Sequence, residues 1–152
     1  MHQHHQHHFT SHDDTALFYQ HWAAAQPESE KKAILLFHRG HEHSDRMAHL
    51  VEELKLPQFD FFAWDARGHG ESPGERGDAP SFSACVKDIQ YFVRHIEQEY
   101  GITEQNIAII GQSVGAVLAA TWVHDYAPKI RALCLASPAL TLNSMYRLPN
   151  LA

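Results

Sequence analysis

The stretch Asn106–Tyr126, NIAIIGQSVGAVLAATWVHDY, decides how the rest of the chain is read. Its first five residues are a short apolar run, the pattern of a strand buried on both faces. Its last eleven, Ala116–Tyr126, are mostly small and apolar, read as a helix, and Pro128 closes them. Between the two lies Gly111-Gln112-Ser113-Val114-Gly115. A chain that turns from strand to helix within about two residues holds the residue at the turn in a strained backbone conformation. Glycines two positions to either side remove side chains that would collide across the turn. Ser113 is then presented above the sheet, with the first helical amides beside whatever it attacks. A glycine-flanked serine can also be no more than a helix cap. The apolar strand before it and the apolar helix after it favour a nucleophile.

Working outward, strands and helices alternate. Ala16–Trp22 reads as an early strand, followed by a charged loop holding Pro27. Ala33–Phe37 (AILLF) and Ile130–Ala136 are further strands of the doubly buried type, and Phe59–Trp64 (FDFFAW) is another. Met47, Leu50, Val51 and Leu54 are spaced as one helix over 45–56, stopped by Pro57. Phe82, Val86, Ile89, Val93, Ile96 and Tyr100 step by four and three, an amphipathic helix ended by Gly101. Strands separated by helices of this length pair in parallel through right-handed crossovers. The expected fold is α/β, a three-layer α/β/α sandwich on a mostly parallel sheet.

Length and composition narrow the function classes. One domain is the natural reading of 152 residues and 17.3 kDa. With 44% hydrophobic and 20% charged residues the chain can bury a sizeable core. A formal charge of −6, with no basic stripe, argues against nucleic acid. The longest apolar run, Val114–Val123, is too short to cross a bilayer. No secretory signal is readable at the N-terminus. Cys85 and Cys134 sit in apolar stretches and read as small buried thiols rather than a disulfide framework. A cytoplasmic protein is the expectation. Residues 1–8, MHQHHQHH, read as a His-rich tail or tag, so the fold is expected to begin near Phe9. Such a tract could also chelate metal, which leaves metal binding as one alternative function.

Two loops carry further chemistry. LLFHRGHEHS, Leu35–Ser44, follows a buried strand, and an oxyanion hole needs a second backbone N–H from such a loop. Gly40 lets the backbone approach, and Val114 supplies the first N–H. His38, His41 and His43 invite a metal reading, yet no carboxylate cluster accompanies them at matching spacing, so they read as loop-shaping and no metal is assigned. In FAWDARGHGES, Phe62–Ser72, the residues Asp65 and Arg67 read as holding a glycine-rich turn by local hydrogen bonds and an ion pair.

Together these segments resemble the α/β-hydrolase superfamily, within it the monoacylglycerol lipase, lysophospholipase and serine-aminopeptidase-like group. The resemblance lies in an HGxGEHS-type loop, a DxRGHGxS segment and a GxSxG elbow, in matching order from about Phe9 to Pro138. HRGHEHS, WDARGHG, SPGERG and QSVGAV are similar to a bacterial subgroup that joins such a hydrolase to a class I S-adenosylmethionine-dependent methyltransferase. The resemblance implies a serine ester hydrolase acting through an acyl-enzyme on a small acyl ester or acylglycerol, with no cofactor. It implies Ser113 as nucleophile and Gly40 and Val114 as oxyanion donors. Arg39 and His41 stand where the group has glycines, which is expected to narrow that loop. The group places its catalytic acid and histidine after later strands, and nothing here matches them. Residues 9–152 therefore read as a partial domain, the N-terminal portion of the fold without cap and C-terminal strands, inactive alone. Its last strand would be an apolar edge able to self-associate. A short non-catalytic α/β protein acting by association is the other alternative.

Overall fold

The computed structural model describes residues 1–138. The strands are β1 (Gln3–Thr10), β2 (Ala16–Ala23), β3 (Lys32–Phe37), β4 (Phe59–Trp64), β5 (Ile107–Gln112) and β6 (Ala132–Ala136). The α-helices are α1 (His49–Glu53), α2 (Phe82–Tyr100) and α3 (Val114–Tyr126). The six strands form one sheet in the order β1-β2-β4-β3-β5-β6. Pairing is parallel from β4 through β6, while β1 and β2 join antiparallel.

Alternation along the parallel strands divides the core into two faces. Leu35, Phe37, Phe62 and Trp64 pack against Ile89, Phe92 and Val93 of α2 and Trp122 of α3. Ile34, Leu36, Phe61 and Ala63 face the other way, onto Met47 and Val51. Helices thus cover both faces, and the domain is the three-layer α/β sandwich the alternation implied. The ends of α2 are set by their caps. Ser81 Oγ accepts from the Ala84 N–H at 3.0 Å, and Gly101 takes the left-handed conformation at φ 65°.

Four local expectations are corrected. The His-rich segment is the edge strand of the sheet: β1 pairs with β2 from Gln3↔Ala23 to Thr10↔Ala16. Its composition carries no apolar alternation, but β2 offers a free edge, and the imidazoles pack on that strand's side chains. His4 stacks on Trp22 with ring centroids 4.9 Å apart, and His2 Nε2 reaches the Phe59 carbonyl at 3.0 Å. The helix expected over 45–56 is a 3₁₀ turn at Ser44–Met47 followed by the five-residue α1. Lys55, at φ 54°, ends it ahead of Pro57. Cys134 is exposed, because β6 is the last strand of the described sheet; Cys85 is buried. The fourth concerns Arg67 and is taken up with the site.

Candidate active site

β5 ends at Gln112 and α3 begins at Val114, so Ser113 alone makes the turn. It does so at φ 54° and ψ −116°, outside the regions open to ordinary residues, as the tightness of the turn required. Three hydrogen bonds hold it there. Ser113 N–H donates to the Ala136 carbonyl of β6 at 3.0 Å, and its own carbonyl accepts from Ala116 and Val117 at 3.0 and 3.2 Å.

The flanking glycines are dictated by neighbouring backbone. A Cβ on Gly111 would stand 2.7 Å from the Gly115 carbonyl oxygen. One on Gly115 would stand 2.5 Å from the carbonyl oxygens of both Phe37 and His38. The end of β3 and the start of α3 therefore touch backbone to backbone, which seats the 38–44 loop beside Ser113. A Cβ on Gly40 would lie 3.7 Å from Val114 Cγ2, so Gly40 also faces the first turn of α3. Val114 and Gly115 open that helix, where backbone N–H groups lack intrahelical acceptors. Ser113, Val114 and Gly40 are thus brought to one place.

The two departures from the glycine pattern are accommodated differently. The Arg39 side chain turns outward onto Glu42, with Nη2–Oε1 at 2.5 Å, and leaves the interior of the loop free. His41 takes the left-handed region at φ 59°, a conformation that glycine adopts without cost and histidine does not.

His38 opens the loop directly after β3, and its ring is fully committed. Nδ1 donates to the Arg39 carbonyl at 2.7 Å, and Nε2 accepts from the Ala66 N–H at 3.0 Å. Burial pushes its pKa below the ordinary value, partly opposed by the Arg39 carbonyl. It ties the β3 and β4 loops together and has no lone pair left for a serine proton. Its depressed pKa makes stability depend on pH. The unfolded chain binds the proton more readily, so the contribution is intact above about pH 6.5 and is lost as pH falls below it. His38→Gln should therefore show a smaller loss of melting temperature between about pH 7.5 and pH 5.5 than the unsubstituted chain. Equal losses in the two proteins would contradict this.

The 65–77 loop rests on a buried ionic cluster. Asp65 accepts from the Ser44 and Glu71 N–H groups at 2.7 and 2.8 Å. Arg67 does not pair with it, contrary to the local arrangement expected. It reaches Asp13 at 2.7 Å and Asp88 of α2 at 2.9 Å. Asp88 is fully buried and also takes the Ser11 hydroxyl. Sequence reasoning passed over Asp88, although a carboxylate between Cys85 and Phe92 on the apolar stripe of α2 was a visible signal. Among the described residues, no group of three or more His, Cys, Asp or Glu is placed to hold a metal ion.

A family model described as serine aminopeptidase, S33, a hydrolase family, matches residues 28–152. The chain belongs to that family. Among its S33 relatives, the uncharacterized protein YnbC of Escherichia coli K12 is 58% identical over 134 residues, covering 88% of this chain and 23% of YnbC. Monoglyceride lipase of Rattus norvegicus is 28% identical over 137 residues, covering 90% of this chain and 44% of the lipase. The Pyrococcus furiosus esterase superposes with a TM-score of 0.75 at 20% identity, covering 90% of this chain and 52% of the esterase. The S33 chain described here has the α/β-hydrolase fold and is similar in sequence to monoglyceride lipases. It spans less than half the length of the rat lipase and about a quarter of YnbC. Among the described residues, no helix is long and apolar enough to cross a membrane.

Proposed function

We propose that this chain carries the nucleophile and the oxyanion donors of a serine ester hydrolase acting on a small acyl ester such as a monoacylglycerol. The observation that carries the reading is the strained φ/ψ of Ser113 at a one-residue strand-to-helix turn, flanked by glycines that backbone contacts require. In this reading Ser113 Oγ attacks the acyl carbonyl carbon while its proton passes to a base. The carbonyl oxygen becomes an oxyanion facing the N–H groups of Val114 and Gly40. Collapse of the tetrahedral intermediate expels the alcohol with a proton returned by the same group, and water then releases the acid. A serine hydroxyl without a base is a poor nucleophile at neutral pH. His38 cannot be that base, and in this reading the acid and histidine belong to the further length that the curated relatives have and this chain does not span.

The 152-residue chain alone is therefore expected to hydrolyse simple esters no faster than roughly 10³–10⁴-fold over water, the residue left when a triad is missing. The longer protein is expected in the usual range of about 1–10³ s⁻¹. Steady-state assays on both, each with Ser113→Ala, provide the check. Fast turnover by the short chain, abolished by Ser113→Ala, would reveal a base within it. A longer protein whose activity survives that substitution would sink the nucleophile assignment.

A second reading, association, is favoured by β6. Leu135 on this last described strand is exposed, and it lines an apolar groove with Ala116, Val117 and Ala120 of α3. An apolar strand edge with no proline and no inward charge recruits other strands. The short chain is expected to self-associate in light scattering, and Leu135→Lys to shift it toward monomer. A monomer at all concentrations, unchanged by the substitution, would remove this reading.

A further inference from the structure

The loop after β3 meets the 65–77 loop at both of its ends. His38 Nε2 accepts from the Ala66 N–H at 3.0 Å, the Ser44 N–H donates to Asp65 at 2.7 Å, and a Cβ on Gly70 would stand 2.8 Å from His43 Cβ. Between these contacts lies a tight turn from Arg39 to Glu42, with Gly40 and His41 at its centre. A positive φ at the second central residue alone is the type II pattern, which favours glycine or asparagine there. Histidine holds that place at φ 59°. A backbone outlier of this kind persists only where its surroundings over-determine it. Two contacts do so here. Arg39 Nε and Nη2 both meet Glu42 Oε1, which closes the base of the turn. The His41 ring lies against Gly77, where a Cβ would stand 3.2 Å from both Nδ1 and Cε1. Gly77 is itself braced at φ 74°, with its N–H donating to the Gly68 carbonyl at 2.9 Å.

We propose that His41 is a positioning residue: its ring, seated on Gly77, holds the Arg39–Glu42 turn in the shape that keeps Gly40 against the first turn of α3. The inference rests on the reading of Gly40 as an oxyanion donor. Such a donor acts fully only if it is in place before charge develops on the substrate. A turn with glycines at 39 and 41, as in the group the sequence resembles, is free to lose that alignment. Arg39 and His41 remove the freedom. The Arg39–Glu42 pair is exposed on the arginine side and contributes little by itself. The contact of His41 with a braced loop carries the larger share.

Trypsin reads the turn directly, because the Arg39–Gly40 bond is the peptide that carries the Gly40 N–H, and cleavage there requires the loop to open. His41→Asn removes the ring and keeps a residue suited to the left-handed backbone. In the 152-residue chain this change is expected to speed cleavage after Arg39 about fivefold or more, each rate being divided by that of a free peptide of the same sequence. Cleavage after Arg131, followed in the same samples by mass spectrometry, is expected to stay within about twofold. Gly77→Ala is expected to speed cleavage after Arg39 in the unsubstituted chain and to add nothing in the His41→Asn background, where its own backbone strain remains but no ring is displaced. Unchanged cleavage in His41→Asn, or an equal effect of Gly77→Ala in both backgrounds, would overturn the proposal. In the longer protein His41→Asn is expected to lower kcat about tenfold and leave KM within about twofold. If Ser113→Ala abolishes activity while His41→Asn leaves kcat unchanged, the positioning role is overturned and the nucleophile reading stands. Activity that survives Ser113→Ala removes both together.

Discussion

Gly115→Ala is expected to lower the free energy of unfolding by about 3 kcal/mol, although alanine is the better helix former by about 1 kcal/mol. Gly115 lies within α3, so helix propensity alone would favour the substitution. The opposing effect is steric. The new methyl would meet the carbonyl oxygens of Phe37 and His38 at 2.5 Å, and both belong to backbone at the end of β3. Neither can swing aside as a side chain would, so α3 must lift from the sheet or β3 must shift. For a domain of this size the loss corresponds to roughly 6–12 °C in melting temperature. Gly101→Ala is the natural control. It also sits at a helix end, but a Cβ there meets nothing within 4 Å, and only the left-handed backbone at φ 65° resists it. That change should cost about 1 kcal/mol. Urea denaturation of the two variants would measure both. A Gly115→Ala protein as stable as Gly101→Ala would mean that the close approach of β3 and α3 is wrongly described.

Asp88→Ala is expected to cost about 3–4 kcal/mol. Asp88 is fully buried and receives Arg67 Nε at 3.1 Å and Nη2 at 2.9 Å, along with the Ser11 hydroxyl. Its removal leaves a buried guanidinium with two of its five hydrogen bonds unmet, and the penalty for an unpaired buried charge is larger than the net worth of the pair. Asp13 still holds Arg67 from the other side, at 2.7 and 3.0 Å, which keeps the loss at the lower end of the usual range. Replacing both partners by apolar residues, Arg67→Met with Asp88→Leu, should cost less than the two single changes added together. Chemical denaturation of the unsubstituted chain, Arg67→Met, Asp88→Leu and the double variant closes the cycle, with Asp88→Ala measured beside them. Additive losses, or a loss below about 1 kcal/mol for Asp88→Ala, would show that the pair is dispensable. The cluster bears on the site as well, since the loop it anchors delivers the Ala66 N–H to His38.

What could be read from the residues depended on whether the constraint was local. The turn at Ser113 was legible because backbone collisions dictate glycine at 111 and 115, and those collisions lie within five residues and one adjacent strand. α2 was legible from its period and from the caps at Ser81 and Gly101. β1 was not, since HQHHQHH has no apolar alternation, and its strand form comes from a partner that begins at Ala16. The partners of Arg67 were missed for a related reason. Asp13 and Asp88 lie 54 and 21 positions away, and only the fold brings them to one guanidinium. The split of the 45–56 helix escaped because a 3₁₀ turn followed by one and a half α-turns buries the same Met47 and Val51 that a continuous helix would.

The strand order has a consequence for how the chain is made. β3 lies between β4 and β5, and its pairing with β5 runs from Ala33↔Ile107 to Phe37↔Gly111. During synthesis from the N-terminus, β1, β2, β3 and β4 are complete once Trp64 has left the ribosome. β5 emerges some forty residues later, about 2–8 s at 5–20 residues per second. For those seconds β3, from Ile34 to Phe37, is the open edge of a nascent four-stranded sheet: its groups facing β4 are paired, and those that later meet β5 are not. The same apolar run that centres the finished domain is then its most adhesive surface. A holdase that covers exposed apolar segments at the tunnel exit would act on β3, and slowing translation between Trp64 and Ile107 would lengthen the period in which neighbouring nascent chains can capture it.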